Sequence, residues 1–209
     1  MNRNHTARVL TLVALTLTAA LVAAPASAKD AKQEMSRKVV VTGKALEASD
    51  SVGSPDDPAI GKTAPTLTGR GFDGKKVTIG GPGKPRAVVF VAHWCPHCQR
   101  EVPRVVQLAK QGTLDGIEVD TVTTGTSSDS PNYPPSKWLA REKWPFTNIL
   151  NDDAKQRAML GYGGTSYPYF VFLDAEGTVV GRATGELEPK TIADTAAKLA
   201  AGQSVFGSS

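Results

Sequence analysis

Cysteine is almost absent from this chain: two residues in 209, Cys95 and Cys98, set three positions apart. That scarcity excludes a scaffold of structural disulfides, and with no second pair anywhere it excludes a four-cysteine zinc site. Histidine is scarce too, with three in all, and only His93 and His97 lie near the pair. Past the first two dozen residues there is no apolar run of the ~20 residues that a spanning helix needs. Nor is there an internal repeat, or a basic stripe interleaved with aromatics, so nucleic acid is not an expected partner.

The first 28 residues differ in kind from the rest. Arg3 and Arg8 lead, an apolar run extends from about Val9 to Ala24, and Ala26-Ser27-Ala28 closes it. This pattern predicts a secretory signal peptide over 1–28, and a membrane contact only if that segment is kept uncleaved. No cysteine follows the run, which excludes lipid attachment of the bacterial lipoprotein kind. Removing Arg3 and Arg8 leaves 22 basic residues against 20 acidic ones, so the formal charge of +4 falls to +2. The expected location is extracytoplasmic, where disulfides persist.

What is present is concentrated around His93-Trp94-Cys95-Pro96-His97-Cys98. Before it, Arg86 to Ala92 is a β-branched apolar run that predicts a strand buried on both faces. After it, Val102, Val105, Val106 and Ala109 recur at helical spacing, with Gly112 as a stop. Cys95 is thus placed at a helix N-terminus, where unpaired N–H groups and the macrodipole favour thiolate over thiol. Pro96 suits the first helical position, and His97 is expected beside the sulfur as a donor or a charge. Cys98, one turn along, is within closing reach, with Cys95 expected to be the exposed sulfur.

From Lys29 to about Pro58 the chain is polar and rich in Ser, Asp and Pro, with one apolar run at Val39-Val40-Val41; it predicts a flexible tether over 29–58 with an edge strand. A domain over 59–202 and a tail over 203–209 follow. Thr66–Thr68 and Lys76–Ile79 flank the turn Phe72-Asp73-Gly74 and predict a hairpin. Ile117 to Thr123 is the next strand, reached by a right-handed parallel crossover. Short helices are predicted over Ser136 to Lys143 and Ala154 to Leu160, the second capped by Asp152 or Asp153. Strands at Tyr169–Asp174 and Thr178–Thr184, then a helix from Pro189 to Gly202, close the chain. Trp138 and Trp144 are expected to pack, and His93 to be a surface loop residue.

Trp94-Cys95-Pro96-His97-Cys98 resembles the active-site motif of the thioredoxin superfamily, with the inner Pro-His pair of DsbA-type oxidases. Pro103 falls where such proteins carry a helix-kinking proline, and Tyr167-Pro168 matches the superfamily's cis-proline. The 73 positions from Cys95 to Pro168, Glu101 three residues after Cys98, and Gly61-Lys62-Thr63-Ala64-Pro65 are similar to TlpA/ResA-type proteins over about residues 59 to 201.

The resemblance implies an α/β fold, a thioredoxin-like three-layer α/β/α sandwich with a central mixed sheet, an N-terminal hairpin extension and an inserted segment before the proline. It implies a thiol-disulfide oxidoreductase with Cys95 and Cys98 as catalytic pair, needing no cofactor beyond their own disulfide and no metal. Trp94, Pro96, His97 and Glu101 would support the pair, while Tyr167 and Pro168 would bind the partner's extended chain. Glu101 has two readings, an exposed helix carboxylate or an acid beside the sulfurs. Thioredoxin's buried aspartate falls on Val89 here, so that acid is missing.

Expected partners are protein thiols and disulfides and a redox partner, on a monomer. Whether the chain oxidises or reduces them is open at this stage. The alternatives are a copper-binding chaperone using Cys95, Cys98 and His97, and a thiol peroxidase; the second lacks the Thr, Ser and Arg context that binds peroxide.

Overall fold

The structure is a computed structural model and describes residue 34 and residues 37–205. The predicted signal peptide, 1–28, lies outside the described residues. Among those described, no helix is long and apolar enough to cross a membrane.

Two sheets and four helices make up the described chain. Strands β1 (Val40–Thr42), β2 (Thr66–Arg70) and β3 (Lys76–Ile79) form an antiparallel sheet in that order. The central sheet holds β4 (Arg86–Val91), β5 (Glu118–Thr123), β6 (Ile149–Asn151), β7 (Tyr169–Leu173) and β8 (Val179–Thr184), in the order β6-β5-β4-β7-β8. Strand β4 runs parallel to β5 and antiparallel to β7. The sheet is therefore mixed, and the strand leading into the cysteines lies at its centre.

Every residue of β4 is buried, as its β-branched run predicts. Its pleat divides the core: Ala87, Val89 and Val91 face one apolar cluster, Val88 and Phe90 the other. On the first face lie α1 (Pro96–Lys110) and α4 (Pro189–Ala200), which contributes Ile192, Ala196 and Leu199. Trp138 and Leu139 of α2 (Pro135–Arg141) join that cluster, so Trp138 packs as expected. On the second face lie the small sheet and α3 (Arg157–Gly161), through Leu67, Ile79, Ala158 and Met159. Truncating a core ring such as Phe90 to Ala in packing of this kind costs about 3–5 kcal/mol.

The segment expected to be a flexible tether is packed onto the domain from Arg37 onward. Val39 is 1 % exposed, β1 pairs with β2 from Val40↔Thr68 to Thr42↔Thr66, and the Leu46 N–H donates to the Gly161 carbonyl. The strongest tie is electrostatic. Arg182 on β8 and Asp57 are both fully buried and form a bidentate ion pair, in which Arg182 Nε donates to Asp57 Oδ2 at 2.8 Å and Nη2 donates to Oδ1. Arg182 Nη1 donates to the Glu47 carbonyl at 2.9 Å and to the Tyr169 hydroxyl at 3.0 Å. Gly163 makes the approach possible, since its φ of +72° suits glycine and an added Cβ would stand 2.6 Å from Arg182 Nη1. Burial pushes the Tyr169 hydroxyl up to about 12, so it stays a neutral partner there.

Candidate active site

The site is built where β4 ends and α1 begins. Cys95 is the N-cap residue, with extended backbone, and Pro96 occupies the first turn, where the absence of an N–H costs nothing. Helix α1 buries Cys98, Glu101, Val102, Val105 and Val106 along one stripe, so the 3.6-residue period that turns the helix inward also carries Cys98 beneath Cys95. Pro103 falls inside the helix, and Gly112, at φ +73°, follows its end.

Both thiols are free and buried. Cys98 is fully buried, and burial pushes its thiol well above the ordinary range. The Ala92 N–H, 3.4 Å from Cys98 Sγ, opposes that shift, while the charges of Cys95 and Glu101 add to it. Val89, where an acid is absent, packs in the same apolar cluster as Cys98.

Cys95 departs from the expectation of an exposed sulfur, being only 6 % exposed. Two aromatics, Trp94 and Tyr167, pack against the cluster that holds it. Trp94, half-buried, donates from Nε1 to the Gly125 carbonyl at 2.7 Å and meets Tyr167 edge to face at 5.8 Å. The peptide bond Tyr167-Pro168 is cis, as the resemblance implied, and Cys95 Sγ lies 3.7 Å from the Tyr167 carbonyl oxygen. The Tyr167 hydroxyl in turn donates to Gln156 Oε1, and burial raises its pKa. Gly125, at φ +59°, lies so close that an added Cβ would stand 3.2 Å from that hydroxyl.

Two histidine expectations are corrected. His93 is not a surface residue but is 1 % exposed. Its Nδ1 donates to the Pro131 carbonyl at 2.6 Å and its Nε2 accepts from the Ser127 N–H at 3.2 Å, an arrangement that needs the neutral ring. Burial lowers its pKa accordingly. The loop 124–135 folds over His93, and Asn132 Nδ2 also donates to the His93 carbonyl at 3.1 Å.

His97, expected beside the sulfur, is exposed and turned to Glu186, with Nδ1 2.7 Å from Oε1. Arg100 donates to the same oxygen from Nη2 at 2.6 Å, and Arg104 reaches Glu186 Oε2 at 3.0 Å.

Glu101 is not the exposed helix carboxylate of the plainer reading. It is 1 % exposed, accepts from the Leu187 N–H at 3.2 Å and from Arg104 at 3.3 Å, and burial raises its pKa. The helix expected from Ala154 starts only at Arg157, with Gln156 rather than Asp152 or Asp153 as its N-cap; Asp152 still accepts from the first-turn Ala158 and Met159 N–H groups at 2.9 and 3.1 Å, while Asp153 accepts from that of Lys155, before the helix, at 2.9 Å. Sequence reasoning did not single out Gly125, Gln156 or Glu186. Gln156 has φ +53°, an uncommon conformation for a residue other than glycine, with no local sequence signal.

Among the described residues no group of three His, Cys, Asp or Glu side chains is placed to hold a metal ion. A ligand set of Cys95, Cys98 and His97 is not assembled, because His97 is engaged with Glu186.

Comparison with known proteins agrees with this geometry. The family model for Redoxin matches residues 59–199. The methylamine utilization protein MauD of Methylobacillus flagellatus is 26% identical over 125 residues, covering 58% of this chain and 56% of that protein. The soluble secreted antigen MPT53 of Mycobacterium tuberculosis is 31% identical over 122 residues, covering 58% and 64%. The chain thus spans less than two thirds of the length of these relatives. Among solved structures, the thioredoxin domain of a thiol-disulfide oxidoreductase from Bacteroides vulgatus superposes with a TM-score of 0.54 at 21% identity, over 68% of this chain and 98% of that one.

Proposed function

The chain belongs to the Redoxin family and has a thioredoxin-like fold, and from that premise we propose that it is an exported thiol-disulfide oxidoreductase acting on protein substrates through Cys95 and Cys98. The observation that carries this reading is the asymmetry of the two sulfurs. One caps a helix beside the Tyr167 carbonyl, while the other is sealed beneath it with its proton held tightly. In the reducing direction, the Cys95 thiolate attacks a partner disulfide. The partner's S–S bond breaks, one of its sulfurs leaves as a thiol after taking a proton, and a mixed disulfide forms. Cys98 then loses its proton and attacks Cys95 Sγ, releasing the second partner thiol. The partner gains two electrons and two protons, and the enzyme is left with a Cys95–Cys98 disulfide. The oxidising direction is the reverse, and no cofactor enters either.

Pro168 and the neighbouring backbone are the surface on which a partner's extended chain docks, with Tyr167 and Trp94 giving way to admit its sulfur. Export rests on the signal pattern of residues 1–28 and on the likeness to a relative named as a secreted antigen. Which direction operates depends on the reduction potential, which within this motif class spans roughly −270 to −120 mV.

The decisive test is capture. A Cys98→Ala variant incubated with extracytoplasmic extract should accumulate mixed disulfides on Cys95 that dithiothreitol releases, and Cys95→Ala/Cys98→Ala should accumulate none. A folded Cys98→Ala protein that captures nothing, together with parent protein that leaves insulin disulfides intact, would rule the reading out.

A further inference from the structure

Glu186 gathers three basic side chains of the helix that Cys95 caps, although it is 88 residues beyond Cys98 in the chain. It lies in the turn between β8 and α4, two residues after Thr184. Its Oε1 accepts from Arg100 Nε at 2.9 Å and Nη2 at 2.6 Å and lies 2.7 Å from His97 Nδ1; its Oε2 lies 3.0 Å from Arg104 Nη1. All three of those side chains come from α1, the helix that Cys95 caps. Arg104 is shared, its Nη1 also lying 3.3 Å from Glu101 Oε2, and the Leu187 N–H that follows Glu186 donates to Glu101 Oε1. A single turn thus holds His97, Arg100 and Arg104 of the helix and the buried acid below them.

Resting on the function proposed above, we propose that Glu186 is a positioning residue for the exchange reaction: by clamping His97, Arg100 and Arg104, it limits the positive charge that the active-site helix presents to Cys95. The physical argument is one of charge and direction. A cation near a sulfur favours the thiolate, and a carboxylate bonded to that cation cancels much of its field at the sulfur. Arg100 is close enough for its charge to interact with that of Cys95. Its Nε and one terminal nitrogen are turned to Glu186, as is His97 Nδ1. The Arg and His contacts hold the Glu186 carboxyl down to about 2, so its charge is present across the working pH range. Removing its charge leaves the helix N-terminus more positive, stabilises the Cys95 thiolate and makes the couple more oxidising.

The test uses the full chain in a Cys98→Ala background, where Cys95 is the one thiol that reacts. Glu186→Gln, of the same shape without the charge, should raise the rate of Cys95 alkylation by iodoacetamide at pH 6 by about three- to tenfold, with the pH midpoint moved downward to match. Glu186→Asp should return the rate toward that of the parent. Adding His97→Ala and Arg100→Ala to Glu186→Gln should take back most of the gain, a coupling that a merely structural role would not produce.

With both cysteines restored, the glutathione equilibrium of Glu186→Gln should shift toward the dithiol by a similar factor. An unshifted alkylation profile for Glu186→Gln, alongside a parent that does reduce insulin, overturns the clamp alone. An alkylation gain that survives loss of both His97 and Arg100 also overturns it. Failure of the parent to exchange disulfides at all would instead sink the function on which the clamp rests.

Discussion

Strand β8 and the turn after it carry two clusters of charge four residues apart, and they differ in almost every physical respect. At Arg182 the pair with Asp57 is fully buried, bidentate and completed by the Glu47 carbonyl and the Tyr169 hydroxyl. At Glu186 the partners His97 and Arg100 are more than half exposed, with side-chain exposures of 58% and 52%. A dry pair must be whole or it destabilises the fold, because an orphaned charge cannot be rehydrated. A wet cluster can lose a member with little effect on folding, since water and salt screen what remains. The first therefore ties the N-terminal arm to the domain, while the second is free to be varied on the helix that Cys95 caps.

The largest effect should come from breaking the dry pair. Asp57→Ala leaves Arg182 buried without its counter-charge and should cost about 3–5 kcal/mol, read as a fall in the urea midpoint. Replacing both partners, as Asp57→Leu with Arg182→Met, should recover most of that loss. If Asp57→Ala were silent, the arm would not be held by this pair.

A smaller effect is expected at His93, which is as dry as Arg182 but kept neutral. Its folded-state pKa is lowered, so the stability it contributes is fully present above the ordinary histidine value, ~6.5, and is lost as pH falls through that value toward the folded one. Denaturant titrations at pH 7.5 and 5.5 should therefore show a shallower loss in His93→Gln than in the parent. Glu101, Asp120 and Asp152 act with the opposite sign, because burial raises all three: the stability they contribute declines as pH rises from the ordinary carboxylate value, ~4, toward their folded values. The smallest effect on folding belongs to Glu186→Gln, whose melting temperature should match that of the parent while its alkylation profile does not. A large drop in melting temperature would place Glu186 with the dry pair and erase the contrast.

The same contrast explains what the sequence could reveal. Strands β4 and β5 and helix α1 were legible because their signal is local: an apolar β-branched run, a 3.6-residue stripe, a proline in the first turn. The position of Cys95 at the helix terminus followed from those alone. The Asp57–Arg182 pair was not legible, since Asp57 lies in a Ser, Asp and Pro run that reads as loop and its partner is 125 residues away. His93 was read as surface because its burial depends on loop 124–135 folding over it, which no pattern around His93 announces. His97 was expected to face the sulfur beside it in the chain, but it is claimed by a carboxylate 89 residues distant. Local periodicity reports burial; long-range charge pairing leaves no periodic trace.

The complete burial of Cys98 has a consequence for timing. Under the exchange proposed above, a captured partner would be bonded to Cys95, and its departure would wait for ionisation of the fully buried Cys98. The lifetime of such a covalent complex would then be clocked by an atom other than the one that holds the partner.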